Sequence, residues 1–588
     1  MKWDLTYLFA TQAAFEKAYK QSLSIIQKLG TYKGKLSDPA LFREYFLLQI
    51  DLNKVGLRVF QYASLKSDLN KKDLENAKQL QKVQIAFAQL GENCSFEEPE
   101  LLSLGKDVVL GMVAKFPEIA EFKFNFEKLF RRQEHVLDDA SEALLANFNR
   151  LAQSGRELYS SLSVADIQNG DVMLDNGEIV TITNSNYRAY IAKSDSPKER
   201  EEIFESVYSY FDVHKNTYAT IYKAVLEADN AYRKARKYET TLESKLFNDA
   251  IPVSVYHNLA AVARESVAPI KKYIALRKQA LGLEVYHTYD RFLDLVKTDK
   301  EYEYAEAREL FFASIAKFPA DFRKKAHEVL ADGFVDVYEQ EGKRTGAYSS
   351  SMPDLHPFIL LNYSKTLADV FTVAHEAGHS IHSMYSAEGQ PATLQDYTIF
   401  VAEVASTFNE HNLLDYFIKE SKASRNEKIA LLQRAIDDIL STFYRQTLFA
   451  IYELESHRLV EAGQPITSDT LSQIMIDLYR EFYDLDISQE NLKPFVWAYI
   501  PHLFYTPFYV YQYATSFAAS LKLYENVKEG KKGAFEKYVG LLKSGGSAFP
   551  VDQLKQAGVD LTKKDAFRAV SHRLSELVDQ LALELAQE

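Results

Sequence analysis

The chain has 588 residues, 47% of them hydrophobic and 26% charged, with only 15 Pro and 22 Gly. That composition describes a folded protein of about two to four domains or lobes and leaves no room for long disordered tracts. A formal net charge of −13 argues against nucleic acid or an anionic membrane as the main partner. The lone cysteine, Cys94 in "GENCSFEE", has no intrachain disulfide partner. Its acidic neighbours make it a poor catalytic thiol, and its isolation favours a reducing, cytoplasmic setting. The opening "MKWDLTYLFATQ" lacks the basic and apolar regions of a secretory signal.

In chain order, helical spacing of apolar residues behind acidic or turn-type starts predicts helices over 38–65 and 73–90. "DVMLDNGEIVTIT" around Asn176-Gly177 reads as a β-hairpin. The stretch 184–197 is the best linear boundary, giving an N-terminal helical lobe with a small hairpin (1–190) and a larger region (191–588). Helical patterning resumes over 196–236. "GAYSS" and "HPFILLNYS", within 346–364, read as short extended pieces.

The next element carries the chemistry. Thr366 and Asp369 make a capping start for "LADVFTVAHEAGHSIHSMYS". Leu367, Val370, Phe371, Ala374, Ala377, Gly378 and Ile381 line one core-facing side. His375 and His379 then stand about 40° apart and one turn apart along the axis, side by side as two zinc ligands must be. Glu376 is rotated by about 100°, suited to hold water as a general base in an H-E-x-x-H arrangement. His382 returns to the azimuth of His375 but lies about 10.5 Å further along a straight helix, too far for the same ion. A third ligand is needed. In "TIFVAEVASTFNEHNLLDYFI", Glu403, Ser406, Thr407 and Glu410 form a polar stripe. It reads either as a solvent-facing side or, because few charges flank it, as a buried one. In the buried case Glu403 faces the histidines, with Ser406 or Glu410 behind it to fix ligand orientation.

Helical patterning continues over 426–463. The segment 494–521 contains no Asp, Glu, Lys or Arg and is long enough to span a bilayer. Pro494, Pro501 and Pro507 interrupt it, however, and its five tyrosines need polar partners, so it reads as the wall of a polar cavity.

"HEAGH", with a glutamate 403 − 379 = 24 positions later, resembles the gluzincin metallopeptidases. The longer strings "LNYSKTLADVFTVAHEAGHSIHSMYS" and "FVAEVASTFNE" closely resemble the oligoendopeptidase F family, a branch of the thimet-oligopeptidase-type enzymes. "WDLTYLF", "GAYSS", "HPFILLNY", "IPHLFYTPFYVYQYATSFAAS" and "SGGSAFPVDQLKQAGVDL" extend that likeness along essentially the whole chain. The resemblance implies a mainly α, two-lobed helical body with a deep substrate channel, few short strands near the zinc helix, and one Zn2+ on its floor. It also implies hydrolysis of short unstructured peptides, with His502 and Tyr509 donating hydrogen bonds to the oxyanion. Tyr505, Tyr511 and Tyr513 remain open as alternatives to Tyr509.

The expected enzyme is therefore a zinc endopeptidase. His375, His379 and Glu403 hold the metal, Glu376 is the base, and His502 and Tyr509 stabilise developing charge. Gly346, Tyr348, Tyr505 and Tyr513 are candidates for substrate binding, and residues 346–348 and 356–363 for pairing with a peptide strand. Gly545 and Gly546 read as the hinge of a closing loop. No organic cofactor is expected, and oligomeric state is not legible. Two alternatives use the same scaffold: a dipeptide-releasing or single-residue carboxypeptidase, and a non-catalytic peptide binder, against which the intact Glu376 weighs.

Overall fold

Helices begin where the sequence caps them. Asp38 caps Pro39–Leu69 through the Ala40 and Leu41 amides, with Pro39 at the first turn, and Asp73 caps Leu74–Asn93 in the same way. Ser424 and Glu427 form a reciprocal capping box at the start of Arg425–Ile439. The computed structural model describes residues 2–298, 300–420 and 423–587. Helices hold 69% of the residues, and five short strands complete the regular structure among the described residues, so the chain is mainly α. It divides into two compact units, each assembled from three stretches: Met1–Glu134, Lys300–Lys419 and Ser520–Val559 in unit one, and His135–Asp299, Glu420–Ala519 and Asp560–Glu588 in unit two. Both units draw on residues from either side of 190/191.

In unit one, Gln12–Gly30, Pro39–Leu69 and Leu74–Asn93 pack together over Ile26, Phe42, Phe46 and Ala86. A second cluster joins Trp3, Phe15, Val59 and Tyr62 to Phe358 and Leu360. The Trp3 indole N–H donates to the Ile359 carbonyl at 2.8 Å, and its ring meets Phe358 edge-on. Strands β3 (Val335–Asp336), β4 (Tyr348–Ser350) and β5 (Phe358–Leu360) form a sheet in the order β3-β5-β4, the first pair parallel and the second antiparallel. The extended pieces expected around 346–364 are β4 and β5. The histidine helix follows as Leu367–Gly389, opened by the expected capping box of Thr366 and Asp369. Its predicted core side is buried at Val370, Phe371, Ala374, Ala377, Gly378 and Ile381, and Leu367 is half-buried.

A hairpin turn brings the chain back as the glutamate helix, Ile399–Glu420. The two helices cross at Gly378, where a Cβ would lie 2.6 Å from both the Ala405 carbonyl oxygen and the Ser406 Cα. Only glycine permits that approach. Gly545 and Gly546 also allow close approach and do not read as a free hinge. Added Cβ atoms would lie within 2.2 Å of the Leu394 oxygen and 2.4 Å of the Asp396 oxygen, and the Gly546 amide donates to Leu394 at 2.7 Å. The loop is thus pinned to the turn between the two site helices.

Unit two contains the expected hairpin: β1 (Gly170–Met173) pairs antiparallel with β2 (Ile179–Ile182), and Gly177 adopts φ 84° in the turn. The helical stretch expected over 196–236 breaks at His214 into Pro197–Val213 and Lys215–Ala235. The stretch 426–463 carries a π turn, Leu440–Tyr444, between Arg425–Ile439 and Arg445–Glu461. The uncharged segment is broken as its prolines dictate, into Val496–Tyr499, His502–Tyr505 and the start of Tyr511–Lys528. Among the described residues no helix is long and apolar enough to cross a membrane.

Candidate metal centre

Capping and the Gly378 crossing put His375, His379 and Glu403 around one point. The His375 and His379 Nε2 atoms are 3.1 Å apart, and Glu403 Oε2 lies 3.3 Å from the first and 3.4 Å from the second. A tetrahedral ion with bonds of about 2.1 Å holds its ligands about 3.4 Å apart, so the three atoms already have the spacing of one metal's ligand set. Among the described residues they are the one such group of three. Glu410 Oε1 accepts from His375 Nδ1 at 2.5 Å, and the Ser406 hydroxyl donates to Glu403 Oε2 at 3.0 Å. Both residues singled out in the polar stripe therefore touch a ligand, and Ser406 and Thr407 are buried. The Asn409 amide adds a further tie, donating to the Ala374 carbonyl at 3.2 Å.

The electrostatics call for a cation. Burial alone would lower the His375 pKa; Glu410 and Glu403, with Glu376 beyond them, raise it well above the ordinary histidine range. Burial would raise the Glu403 carboxyl, but hydrogen bonds and charge from the two histidines hold it well below the usual range. A proton on His375 thus occupies the electrostatic place of a metal ion, and the N,N,O donor set fits one. Glu376 is 5% exposed, and its Oε2 has no hydrogen-bond partner. Burial pushes its pKa up against the pull of both histidines.

His382 is placed elsewhere. It is 1% exposed, its ring stacks on Tyr397 at 3.6 Å, and neither ring nitrogen has a partner. Burial and then His379 lower its pKa to about 3, so it stays neutral. Sequence reading missed Tyr397, as well as the serine pairs that clamp β4 and the residue after it to the histidine helix, Ser349 to Ser380 and Ser351 to Ser383, each at 2.8 Å. The serines of "GHSIHS" were a visible signal for the latter. Of the substrate-binding candidates in unit one, Tyr348 turns inward: its hydroxyl donates to Asp68 at 2.6 Å and its ring faces Trp3. Gly346 has φ 81°, and its carbonyl accepts from Asn362.

In unit two, His502, Tyr509 and Tyr513 cluster. The His502 and Tyr509 rings are 5.9 Å apart, His502 and Tyr513 6.2 Å, and the two tyrosines 5.4 Å. Burial lowers the His502 pKa, which keeps the imidazole neutral. Tyr505 packs against Tyr159, and Tyr511 is buried against Tyr256. Phe508, just before Tyr509, sits at φ 61°, and its amide donates to the fully buried Glu453 at 2.9 Å. That contact holds an uncommon conformation for a bulky residue.

The sequence profile of Peptidase family M3 matches residues 190–572, and that of Oligopeptidase F matches residues 100–168. Group B oligopeptidase PepB of Streptococcus agalactiae serotype III is 32% identical over 586 residues, covering 99% of this chain and 97% of the relative. A crystal structure from Chlamydophila abortus has a TM-score of 0.90 at 31% identity, covering 99% of this chain and 98% of that one. The oligoendopeptidase-F of Enterococcus faecium has a TM-score of 0.75 at 25% identity, covering 98% and 99%. Site and likeness together make this chain a metalloendopeptidase of peptidase family M3, belonging to its oligoendopeptidase F group.

Proposed function

We propose that the protein hydrolyses internal bonds of short, unstructured peptides with one zinc ion held by His375, His379 and Glu403. The observation that carries the reading is the separation of 3.1 to 3.4 Å among their three ligand atoms. When bound, the ion supplies Lewis-acid chemistry, acidifying water and polarising a carbonyl. Glu376 takes a proton from the attacking water at its unpartnered Oε2 and passes it to the departing amine as the C–N bond breaks. Burial moves its pKa toward the working range of such a base. Glu410, against His375 Nδ1, fixes that ring so that Nε2 faces the ligand point. His502, kept neutral by burial, and Tyr509 donate hydrogen bonds to the carbonyl oxygen as it gains charge. The edge position of β4 suits an added peptide strand. Residues 191–588 carry every one of these groups and form the catalytic region in sequence. Cys94, whose thiol is pushed up by burial, fits a reducing, cytoplasmic setting.

The test is mass spectrometry of a nine-residue peptide blocked at both ends, incubated with the protein, with the protein plus chelator, and with metal-loaded Glu376→Gln. Internal cuts that vanish with chelator and fall by about 10²–10⁴ in Glu376→Gln support the mechanism. Near-normal cutting by the loaded variant removes it. Cuts confined to the ends of unblocked peptides would make the enzyme an exopeptidase.

A further inference from the structure

Unit two holds a cavity of about 850 Å³ that none of the three metal ligands lines. Arg188, Arg291 and Arg445 line it, and these residues lie far apart in sequence. Lys493 lies close by, 3% exposed, with its ammonium over the rings of Tyr208 and Tyr479 at 5.1 and 5.8 Å. Among the described residues Arg291 and Arg445 make no hydrogen bond or ion pair. Each guanidinium instead lies over an aromatic ring, Arg291 over Phe292 at 4.6 Å and Arg445 over Phe449 at 4.9 Å. Stacking of that kind fixes the plane of a guanidinium and leaves its N–H edge open.

Three carboxylates also border the cavity; Asp437 feels the charge of Arg277 and Arg291, yet neither Arg291 nor Arg445 has a carboxylate in ion-pair contact among the described residues. Asp437 accepts from the Tyr273 hydroxyl at 2.8 Å, and burial raises its pKa. Asp438 lies 3.6 Å from Arg434, and Asp294 is exposed with its pKa raised by burial. The excess positive potential is felt by Tyr187. Burial would raise its hydroxyl, yet Arg291, Arg188 and Arg445 pull it below the ordinary tyrosine range. Burial and then the charge of Arg445 lower the Arg291 pKa as well. Clustering like charges with no carboxylate in direct contact costs stability, and an arrangement of that kind is retained where a ligand supplies the opposite charge.

The backbone is specialised at the same place. Two π turns occur among the described residues, Ser161–Ala165 and Leu440–Tyr444. Both border this cavity, the first through Ser163 and Val164 and the second through Leu440 and Ser441. The second turn immediately precedes Arg445 and so sets the direction in which that side chain leaves its helix. Such turns concentrate at functional sites. His502 and Tyr505 line the cavity too, and the rest of its wall mixes aromatic and aliphatic side chains with amides and hydroxyls such as Asn184, Gln433 and Gln446, a lining that suits a peptide better than a small inorganic anion.

We propose that this cavity binds a carboxylate of the peptide substrate, gripped by the N–H edges of Arg291 and Arg445, with the adjoining residues lying along its tyrosine walls. The proposal rests on the peptidase reading for the identity of the ligand. The carboxylate comes from the C-terminus of the peptide or from an acidic side chain, and four versions of one fluorescent nine-residue peptide separate the two: free acid or amide at the C-terminus, each with Glu or Gln at one internal position. Binding is measured by anisotropy to metal-loaded Glu376→Gln protein, with mass spectrometry to show the peptide intact.

The expected result is that one carboxylate tightens binding by about 10- to 100-fold, the range for a charge-assisted hydrogen-bond pair. Arg445→Gln should erase that difference, and Arg445→Lys should restore part of it. A preference for the free acid assigns the C-terminus; a preference for Glu over Gln in the amides assigns the side chain. Equal binding of all four peptides overturns the proposal, and that comparison needs no arginine variant to fold. Cleavage by the unmodified enzyme without any carboxylate preference sinks the cavity assignment and leaves the peptidase reading standing. A preference lost in Arg445→Gln, with no cleavage by the unmodified enzyme, does the reverse.

Discussion

Replacing Gly378 with alanine should damage metal binding although no ligand is touched. By intrinsic propensity alone the substitution favours the histidine helix by about 1 kcal/mol. The crossing reverses that expectation. The new Cβ would lie 2.6 Å from the Ala405 oxygen and the Ser406 Cα, where ordinary contact begins near 3.4 Å. Both neighbours are backbone and cannot swing aside, so the glutamate helix must retreat by about 0.8 Å (3.4 − 2.6). Glu403 lies less than one turn before Ser406 on that rigid element and moves with it. Ligand distances must hold to about ±0.2 Å, so the displaced carboxylate leaves the ligand set unless its side chain re-extends. Overpacking of this size costs about 1–3 kcal/mol, and the affinity for zinc should fall at least about 10-fold, as when an orienting partner is lost. Competition with a fluorescent chelator measures the affinity, circular dichroism verifies the fold, and Gly540→Ala is the control, because a Cβ there meets nothing within 4 Å. Unchanged zinc affinity and peptide turnover in a folded Gly378→Ala protein would refute the argument that the crossing sets the site.

Other expectations follow from the same geometry. Glu403→Ala should emerge empty after mild chelation while His382→Ala keeps its metal, as metal analysis of the two purified variants will report; the opposite pattern reverses the ligand assignment. Because the folded metal-free protein holds the His375 pKa well above its ordinary value, that group stabilises it fully below the unfolded value near 6.5, and the contribution fades as pH rises through the folded value. Zinc uptake at neutral pH should therefore release a proton, measured calorimetrically in buffers of different ionisation enthalpy, and Glu410→Gln should reduce that release while weakening zinc binding about 10- to 100-fold. Tyr509→Phe should cut turnover by about 10² or more with zinc content unchanged. If it is silent and Tyr513→Phe is crippled, the second tyrosine of the His502 cluster is the donor.

The parts of the site that were legible in sequence are those encoded by short-range repetition. His375 and His379 sit at helical spacing behind a capping pair, and the stripe from Glu403 to Glu410 declares itself by being polar where the flanks are apolar. Contacts between elements left weaker traces. Gly378 looked like one more small residue on a core face, because nothing local distinguishes a crossing point from ordinary packing. Gly545 and Gly546 were misread for the same reason: glycine serves both motion and close approach, and only the neighbouring backbone at Leu394 and Asp396 decides between them. His214 ended a helix that periodicity alone carried on to 236. Arg188, Arg291 and Arg445 are individually ordinary surface-type residues, and their convergence in one cavity is a property of tertiary structure alone.

The bond from Trp3 to the Ile359 carbonyl spans 356 residues, and a ribosome makes the two ends in order. At about 5–20 residues per second, the indole emerges roughly 20 to 70 s before its acceptor. Throughout that interval Trp3, Phe15 and Tyr62 lack Phe358 and Leu360, the partners that complete their cluster. The nascent chain must carry that aromatic surface uncovered, or shielded by a chaperone, until β5 has been translated. Slowing elongation between codons 70 and 350 lengthens the exposure without changing one contact of the finished enzyme.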